Sequence, residues 1–527
     1  MTETGPERKT LDFRRGMAGA KFQWVSYYGG FVVGLCSYPY CAQNCGSRLG
    51  EFSGGPLEVD LELRTNPTKA TKFYVAHFVR HVESEANQTA LWSPRLTVGG
   101  GLSESDAAGL TAFCYTDSVS GQSLLIDCGT PPGYNGDSLE RLKQLVGQPG
   151  LQGCAITHGH FDHWSLFNQM PDSLPVFVDP LAAEFIVRHL EFRIWQIQEE
   201  GGDTSTLSFR KPREEEIFDP GESFRVGSFS VQSILTAHAI PNASMLLIQA
   251  PSGKRILDTG DFKFNGMDWR EKFRLEMKLR EIGQAGVDVM RCDNLNAHLP
   301  GFTLEESNAV KGVVEAIAAT KGAGRVVVAL FGSNLNRIEA VASAALELFD
   351  RPLIFAGASM KFANRLLSSL RERVLPVGGE PMDRSLVFAT GCQAEEGSIL
   401  HREVVGGNPF LWLSDRDTVI LSSRAIPGNE ASVKDLVERL LRRGCKIVLH
   451  EGETSKLGLE ESGQIQEALV HVSGHGHADD ARLALELVRP KKVVPAVLSS
   501  PQIEAFREIA SSLGIEVIEP VENRIVL

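Results

Sequence analysis

The stretch "ITHGHFDHW", Ile156 to Trp164, decides the reading of this chain. Its ligand-type residues are His158, His160, Asp162 and His163, packed within six positions directly after the short apolar run "GCAIT". Imidazole and carboxylate are good ligands for zinc and manganese. On a loop, His158 and His160 face one point while Asp162 and His163 turn to a neighbouring one. Two ions about 3.5–4 Å apart can clamp both oxygens of a displacement and share one nucleophile. Two later segments end in the same residue types: "SFSVQSILTAHAIP" runs into His238 and "RILDTGDFKF" into Asp261. Groups that act on ligands collect just past strand ends in open α/β folds, so a chance histidine-rich loop is the weaker explanation.

The 527 residues exceed one ordinary core, and 43% hydrophobic with 23% charged residues is a globular composition. The net charge of −13 offers no global basic field, so any contact with nucleic acid must come from a local groove. Nine scattered cysteines, an odd number, fit reduced thiols in a cytoplasm better than a disulfide framework. Phe22 to Cys41 carries no charge after Arg14, Arg15 and Lys21, but its tyrosines, Gly29, Gly30 and Pro39 make it too polar and broken for a spanning helix. A cytoplasmic protein with no membrane contact is expected.

Residues 1–91 form an N-terminal extension whose role the sequence does not state. Cys36, Cys41 and Cys45, with His77 and His81 downstream, fit plain thiols better than a zinc site, because nothing places the two histidines nearby. Beyond Leu96 short strands alternate with helices. "SLLIDCG" (Ser123 to Gly129) is a strand, and "DSLERLKQLV" has a helical period with Asp137 placed to cap it. From Pro300 a second α/β pattern begins. "TLEES" offers Thr303 and Glu306 as a capping box, and "RVVVALF", "RPLIFAG", "DTVILSS" and "CKIVL" are strands between helices. The last block places the helix "ADDARLALELV" after "VHVSGHGH" and before the strand "KKVVPAVL".

H-x-H-x-D-H after a strand, with Asp127 on an earlier strand, resembles the metallo-β-lactamase fold. Downstream, "TGDFKF", "CDNLNAHLPGFTLEE", "GSNLNRIEAV", "GASM", "AIPGNE" and "HVSGHG" resemble the ribonuclease J branch of the β-CASP nucleases, over Thr97 to Leu527. The resemblance implies an α/β protein: a metallo-β-lactamase αββα sandwich with an inserted three-layer β-CASP domain. The sandwich would span 92–297 and 469–527, and the β-CASP domain 298–468. His158, His160 and His238 would hold one metal, Asp162 and His163 the second, with Asp261 bridging. Asp293 would orient ligands as motif A. His475, as motif B, would stabilise charge or protonate the leaving oxygen beside the scissile phosphate, with His471 and His477 as neighbours. The implied catalytic residues are thus Asp162, His475 and Asp293, and the implied substrate contacts Ser473, Gly474 and Arg337, with Arg402 a further candidate for phosphate.

Three departures stand against that pattern. Val497 falls where RNA-processing members carry the motif C histidine, as in the Artemis-type DNA nucleases, so the second metal loses a nitrogen ligand. Asn336 and Ala358 replace a histidine and an arginine on the inserted domain. The reading is a metal-dependent phosphodiesterase hydrolysing nucleic acid, single-stranded RNA foremost, as an exo- or endonuclease with a metal-activated hydroxide. Zn2+ would be held tightly once and weakly a second time, with Mn2+ the alternative, and a homodimer is allowed for. A DNA nuclease, a hydrolase of a small ester or phosphodiester, and a scaffold with a degenerate site are the competing readings.

Overall fold

The computed structural model describes residues 22–28, 31–36, 59–65, 72–78, 110–131, 138–199, 204, 209–320, 324–349, 351–367, 384–405, 411–426, 428–460, 462–520 and 524–527. The chain divides into two units, Met1–Ala86 and Asn87–Leu527. The first contains a four-stranded antiparallel sheet in the order Phe22–Tyr28, Phe31–Cys36, Lys72–Phe78, Val59–Thr65. Tyr28 pairs with Phe31, so the uncharged stretch begins as two antiparallel strands. Of the residues weighed there as ligands, Cys36 and His77 lie in strands, and Cys41, Cys45 and His81 fall outside the described residues.

In the second unit, two sheets face each other. One has five strands, ordered Arg524–Val526, Thr111–Thr116, Ser123–Gly129, Leu151–Ala155, Val176–Phe177. The other has seven, ordered Glu516–Val517, Lys492–Pro495, Val289–Cys292, Arg255–Asp258, Ser244–Gln249, Phe229–Leu235, Ser223–Val226. Alternation along each strand builds the layers. Leu124 and Ile126 point inward to meet Val231, Leu246 and Ile256 of the opposite sheet. Leu125 and Cys128 point outward, under Leu142, Leu145 and Trp164. The second sheet's outer face is covered by Leu275 and Leu279 of the helix Trp269–Gln284 and by Leu485 and Val488 of Ala478–Val488. The result is an αββα sandwich.

Val289–Cys292 and Lys492–Pro495 are parallel neighbours in one sheet, Val289 opposite Lys492. Between them in sequence lies a third sheet of six parallel strands: Leu353–Phe355, Leu386–Ala389, Val326–Ala329, Thr418–Leu421, Lys446–His450, Ile465–Ala468. Both its faces are buried, Val326 and Val328 in one core and Val327 and Ala329 in the other. A parallel sheet covered on both sides reads as continuous apolar strands, as "VVVA" does here.

The capping box expected at Thr303 and Glu306 does not form. The helix starts at Glu306 after Glu305, with no side-chain cap. Thr303 instead donates from its N–H and hydroxyl to Asp480, and the Glu306 carboxylate pairs with Arg337. Charged partners from distant segments compete with the local cap and win. Asp137, expected to cap Ser138–Val146, lies outside the described residues.

Candidate metal centre

The three strand ends converge as their sequence suggests. His158 follows Leu151–Ala155, and His160 stands before the one-turn helix Phe161–Trp164 that carries Asp162 and His163. This helix sits tight against the strand Ser123–Gly129: a Cβ on Gly129 would lie 1.8 Å from the Asp162 carbonyl oxygen. Asp127 bends that strand's end with a left-handed φ of 60°, a conformation that costs energy in a residue other than glycine. The bend lets its carboxylate accept from the Thr157 N–H at 2.8 Å and hydroxyl at 3.0 Å, and from His163 Nδ1–H at 2.8 Å.

His158 and His238 are oriented from behind. With its hydroxyl donating to Asp127, Thr157 Oγ1 accepts from His158 Nδ1 at 3.0 Å, and the Gly474 carbonyl accepts from His238 Nδ1 at 2.8 Å. The Nε2 atoms of both then turn to His160 Nδ1, each 3.0 Å away. Three nitrogen lone pairs thus meet at one point. Burial holds these imidazoles neutral: His158 and His238 sit well below the usual histidine range, and His160 falls to about 3. Neutral nitrogen is the form that binds a metal.

Beside them, Asp261 Oδ2 lies 3.2 Å from His163 Nε2 and 3.7 Å from each Nε2 of His158, His238 and His475. Burial would raise the Asp261 carboxyl, but the imidazoles of His163 and His475 hold it well below its ordinary value. His163 is raised against its burial by Asp261, Asp127 and Asp162. His475 is raised to about 9 by Asp293 and Asp261, also against burial. Among the described residues, three overlapping sets have ligand atoms within 4.8 Å of one another: His158, His160 and His238; His158, His163 and Asp261; His238, Asp261 and His475. The three converging neutral nitrogens of His158, His160 and His238 beside the Asp261 carboxylate are the donor set of a divalent cation.

Two placements differ from expectation. Asp162 belongs to none of the three sets, its Oδ2 standing 3.8 Å from His163 Nε2. His475, assigned to the phosphate, has its Nε2 inside the ligand group while Nδ1–H donates to Asp293 Oδ2 at 2.9 Å. Asp293 is itself fixed: its N–H donates to Thr259 Oγ1 at 2.9 Å, and its Oδ1 accepts from Leu295 N–H at 3.0 Å.

Arg337 is corrected outright. It is buried, 1% exposed, and cannot meet a phosphate at the surface. Its Nε donates to Glu306, Nη1 to the Ser422 carbonyl at 3.1 Å and to His471 Nδ1 at 3.0 Å, and Nη2 to the Val472 carbonyl at 2.9 Å. A basic residue on a helix of an inserted domain reads as solvated, and only the helix's packing on the 471–475 loop reveals otherwise. Arg402, Asn336 and Ala358 are exposed. Val497 follows Lys492–Pro495, and its backbone is read by one side chain: its N–H donates to Asn294 Oδ1 at 2.7 Å and its carbonyl accepts from Asn294 Nδ2 at 2.9 Å. No residue from 495 to 500 enters a ligand set among the described residues. Thr157, Asn294, Lys263 and Asp480 went unnoticed in the sequence, because nothing local marks a hydroxyl, an amide, a lysine or a carboxylate that bonds 30 to 210 residues away.

Residues 323–440 match the family described as "Ribonuclease J, beta-CASP domain". The chain is 28% identical over 421 residues to a Ribonuclease J of Sinorhizobium meliloti, covering 76% of this chain and 68% of that protein. The chain is thus similar to ribonucleases J, and its residues 323–440 to their β-CASP domain. A Mycobacterium tuberculosis Ribonuclease J is likewise 28% identical, over 441 residues, 80% of this chain and 72% of the relative. A solved Enterococcus faecalis protein of unknown function shares the fold, with a TM-score of 0.51 at 16% identity over 77% of this chain and 94% of that one.

Proposed function

We propose that this β-CASP protein is a metal-dependent phosphodiesterase that hydrolyses nucleic acid, with single-stranded RNA as its main substrate. The observation that carries the proposal is the Asp261 carboxylate oxygen ringed by four imidazole nitrogens, in a chain related to ribonucleases J. His158, His160 and His238 would hold one ion, and His163 and Asp162 the second, with Asp261 shared. Zinc suits the three-nitrogen set best, and manganese is the alternative. A divalent cation bound there supplies Lewis acidity for charge developing on phosphate and acidifies water at neutral pH.

The protein's own groups divide the remaining work. Asp127, Thr157 and the Gly474 carbonyl fix the tautomers of His163, His158 and His238, so that each presents its lone pair to the centre. Asp293 holds the Nδ1 proton of His475 and keeps that ring charged near neutral pH. His475 then stabilises charge on the phosphate or protonates the leaving oxygen. Ser473 and Gly474 lie beside it and meet the phosphate. The sandwich over 92–297 and 469–527 carries this centre, and the β-CASP domain over 298–468 closes the substrate path. We place the protein in the cytoplasm.

Val497 supports a second substrate, DNA. The deciding experiment incubates metal-loaded protein with 5′-phosphorylated RNA and DNA of one sequence, single- and double-stranded. Preferential loss of single-stranded RNA is expected. Faster cleavage of DNA would reassign the substrate, and no cleavage of any of the four would remove the nuclease.

A further inference from the structure

The loop 471–475 carries two groups of the centre: His475 itself, and the Gly474 carbonyl that orients His238. What holds this loop comes from both the sandwich and the inserted domain. Arg337, on the helix Leu335–Leu348, takes the Val472 carbonyl and His471 Nδ1. Lys263, two residues beyond Asp261, donates from Nζ to the Ser473 carbonyl at 2.8 Å. Glu306, first residue of Glu306–Ala319, joins them: one oxygen meets Arg337 Nε, and the other lies 3.6 Å from Lys263 Nζ. The side chains of Lys263 and Arg337 are both 1% exposed.

Two cations and one carboxylate pack together with the cationic side chains buried, a costly arrangement. Sequence-neutral packing would serve the fold at lower cost. The two cations instead spend their donors on successive carbonyls of one short loop. Because peptides are trans, the N–H groups of Ser473 and Gly474 point away from the carbonyls that the cations hold. Backbone pairing closes the circuit: Lys263 N–H donates to the Ala237 carbonyl at 2.9 Å, next to His238. Steric fit is close, since a Cβ on Gly474 would lie 2.7 Å from His238 Cε1. A small displacement of the loop therefore moves His238.

We propose that the triad Lys263–Glu306–Arg337 is a positioning device: it fixes the 471–475 loop across the junction of the sandwich and the inserted domain, and through the Gly474 carbonyl sets the His238 imidazole in its ligand position. The inference rests on the reading of this centre as a metal site. His163 is held separately, by Asp127, so the triad acts on the His158–His160–His238 set and not on the His163 side.

The test uses full-length protein loaded with zinc, or with cobalt for its visible absorption, as wild type, Arg337→Lys and Lys263→Met. Lysine keeps the charge of Arg337 but cannot reproduce its fork of donors. In both variants, zinc should pass from the tighter site to a competing chelator about 10–100-fold more readily, the span known for groups behind metal ligands. The cobalt spectrum should change and kcat should fall at unchanged KM, while zinc at the weaker site is unaffected. Variants that fold like wild type but keep its zinc affinity and cobalt spectrum overturn the proposal. Loss of folding in both variants also overturns it, making the triad purely structural. Wild-type protein that retains no zinc would instead sink the metal centre itself.

Discussion

At the scale of single residues, the centre depends on which atom of each ring is occupied from behind. His238 shows it most clearly, since its only oriented proton meets one carbonyl. Gly474→Ala should drive the new methyl against that ring and weaken the tighter metal site at least tenfold, which calorimetric titration would read; unchanged affinity would mean that the loop can retreat. Asp162→Asn should abolish cleavage with folding intact, because its side chain, 31% exposed, stands at the rim of the centre, 3.8 Å from His163 Nε2, and not in a hydrophobic core. Circular dichroism and an RNA cleavage assay test both halves, and wild-type cleavage would remove Asp162 from the machinery. His475→Ala should slow cleavage by roughly 10²–10⁴. Its metal content carries the further information: retained zinc supports a role at the phosphate, and lost zinc makes His475 a ligand.

At the scale of elements, strands that end in ligands were legible because their signal is local. "SLLIDCG" forms Ser123–Gly129 and "ADDARLALELV" forms Ala478–Val488, residue for residue. Period and length suffice for such segments. The start of Glu306–Ala319 was not legible, because Thr303 and Glu306 answer to Asp480 and Arg337 rather than to each other. A similar long-range pair ties the third sheet. Asp417, next to Thr418–Leu421, accepts from Arg325 N–H at 2.8 Å and Nη2 at 2.9 Å, and from Ser414 N–H at 2.8 Å. Burial would raise its carboxyl, yet the hydrogen bonds from Arg325 lower it. A carboxyl lowered in the folded state stabilises above its unfolded pKa and stops doing so as pH falls through the folded value. Asp417→Asn should therefore cost about 1–3 kcal/mol at pH 7 and flatten the loss of stability on acidification. Urea unfolding at a series of pH values would show it, and parallel wild-type and variant curves would refute it.

At the scale of the whole molecule, the metal should couple to folding. The ligands come from segments as far apart as His158 and Asp261, or His475 if it binds, so an ion that binds only the folded chain stabilises it by mass action. Chelation should lower the melting temperature, and zinc should restore it. If valine at 497 deprives a second site of a ligand, purified protein should hold one ion tightly and another loosely, and Val497→His should tighten the loose one. Two equally tight sites in the wild type would show that another residue supplies the missing ligand.

What the sequence by itself determined is the set of candidate donors and the alternation of strands with helices. Histidines and aspartates stood at strand ends, and short apolar runs alternated with helical periods. Both signals live in neighbouring residues. Tertiary structure alone decided what stands behind the donors: that Arg337 is buried, that Asp480 collects Thr303, and that His475 turns its Nε2 toward Asp261. Those outcomes depend on which distant groups share a buried volume, where an unpaired charge or polar atom is too costly to leave, and no local pattern records that competition.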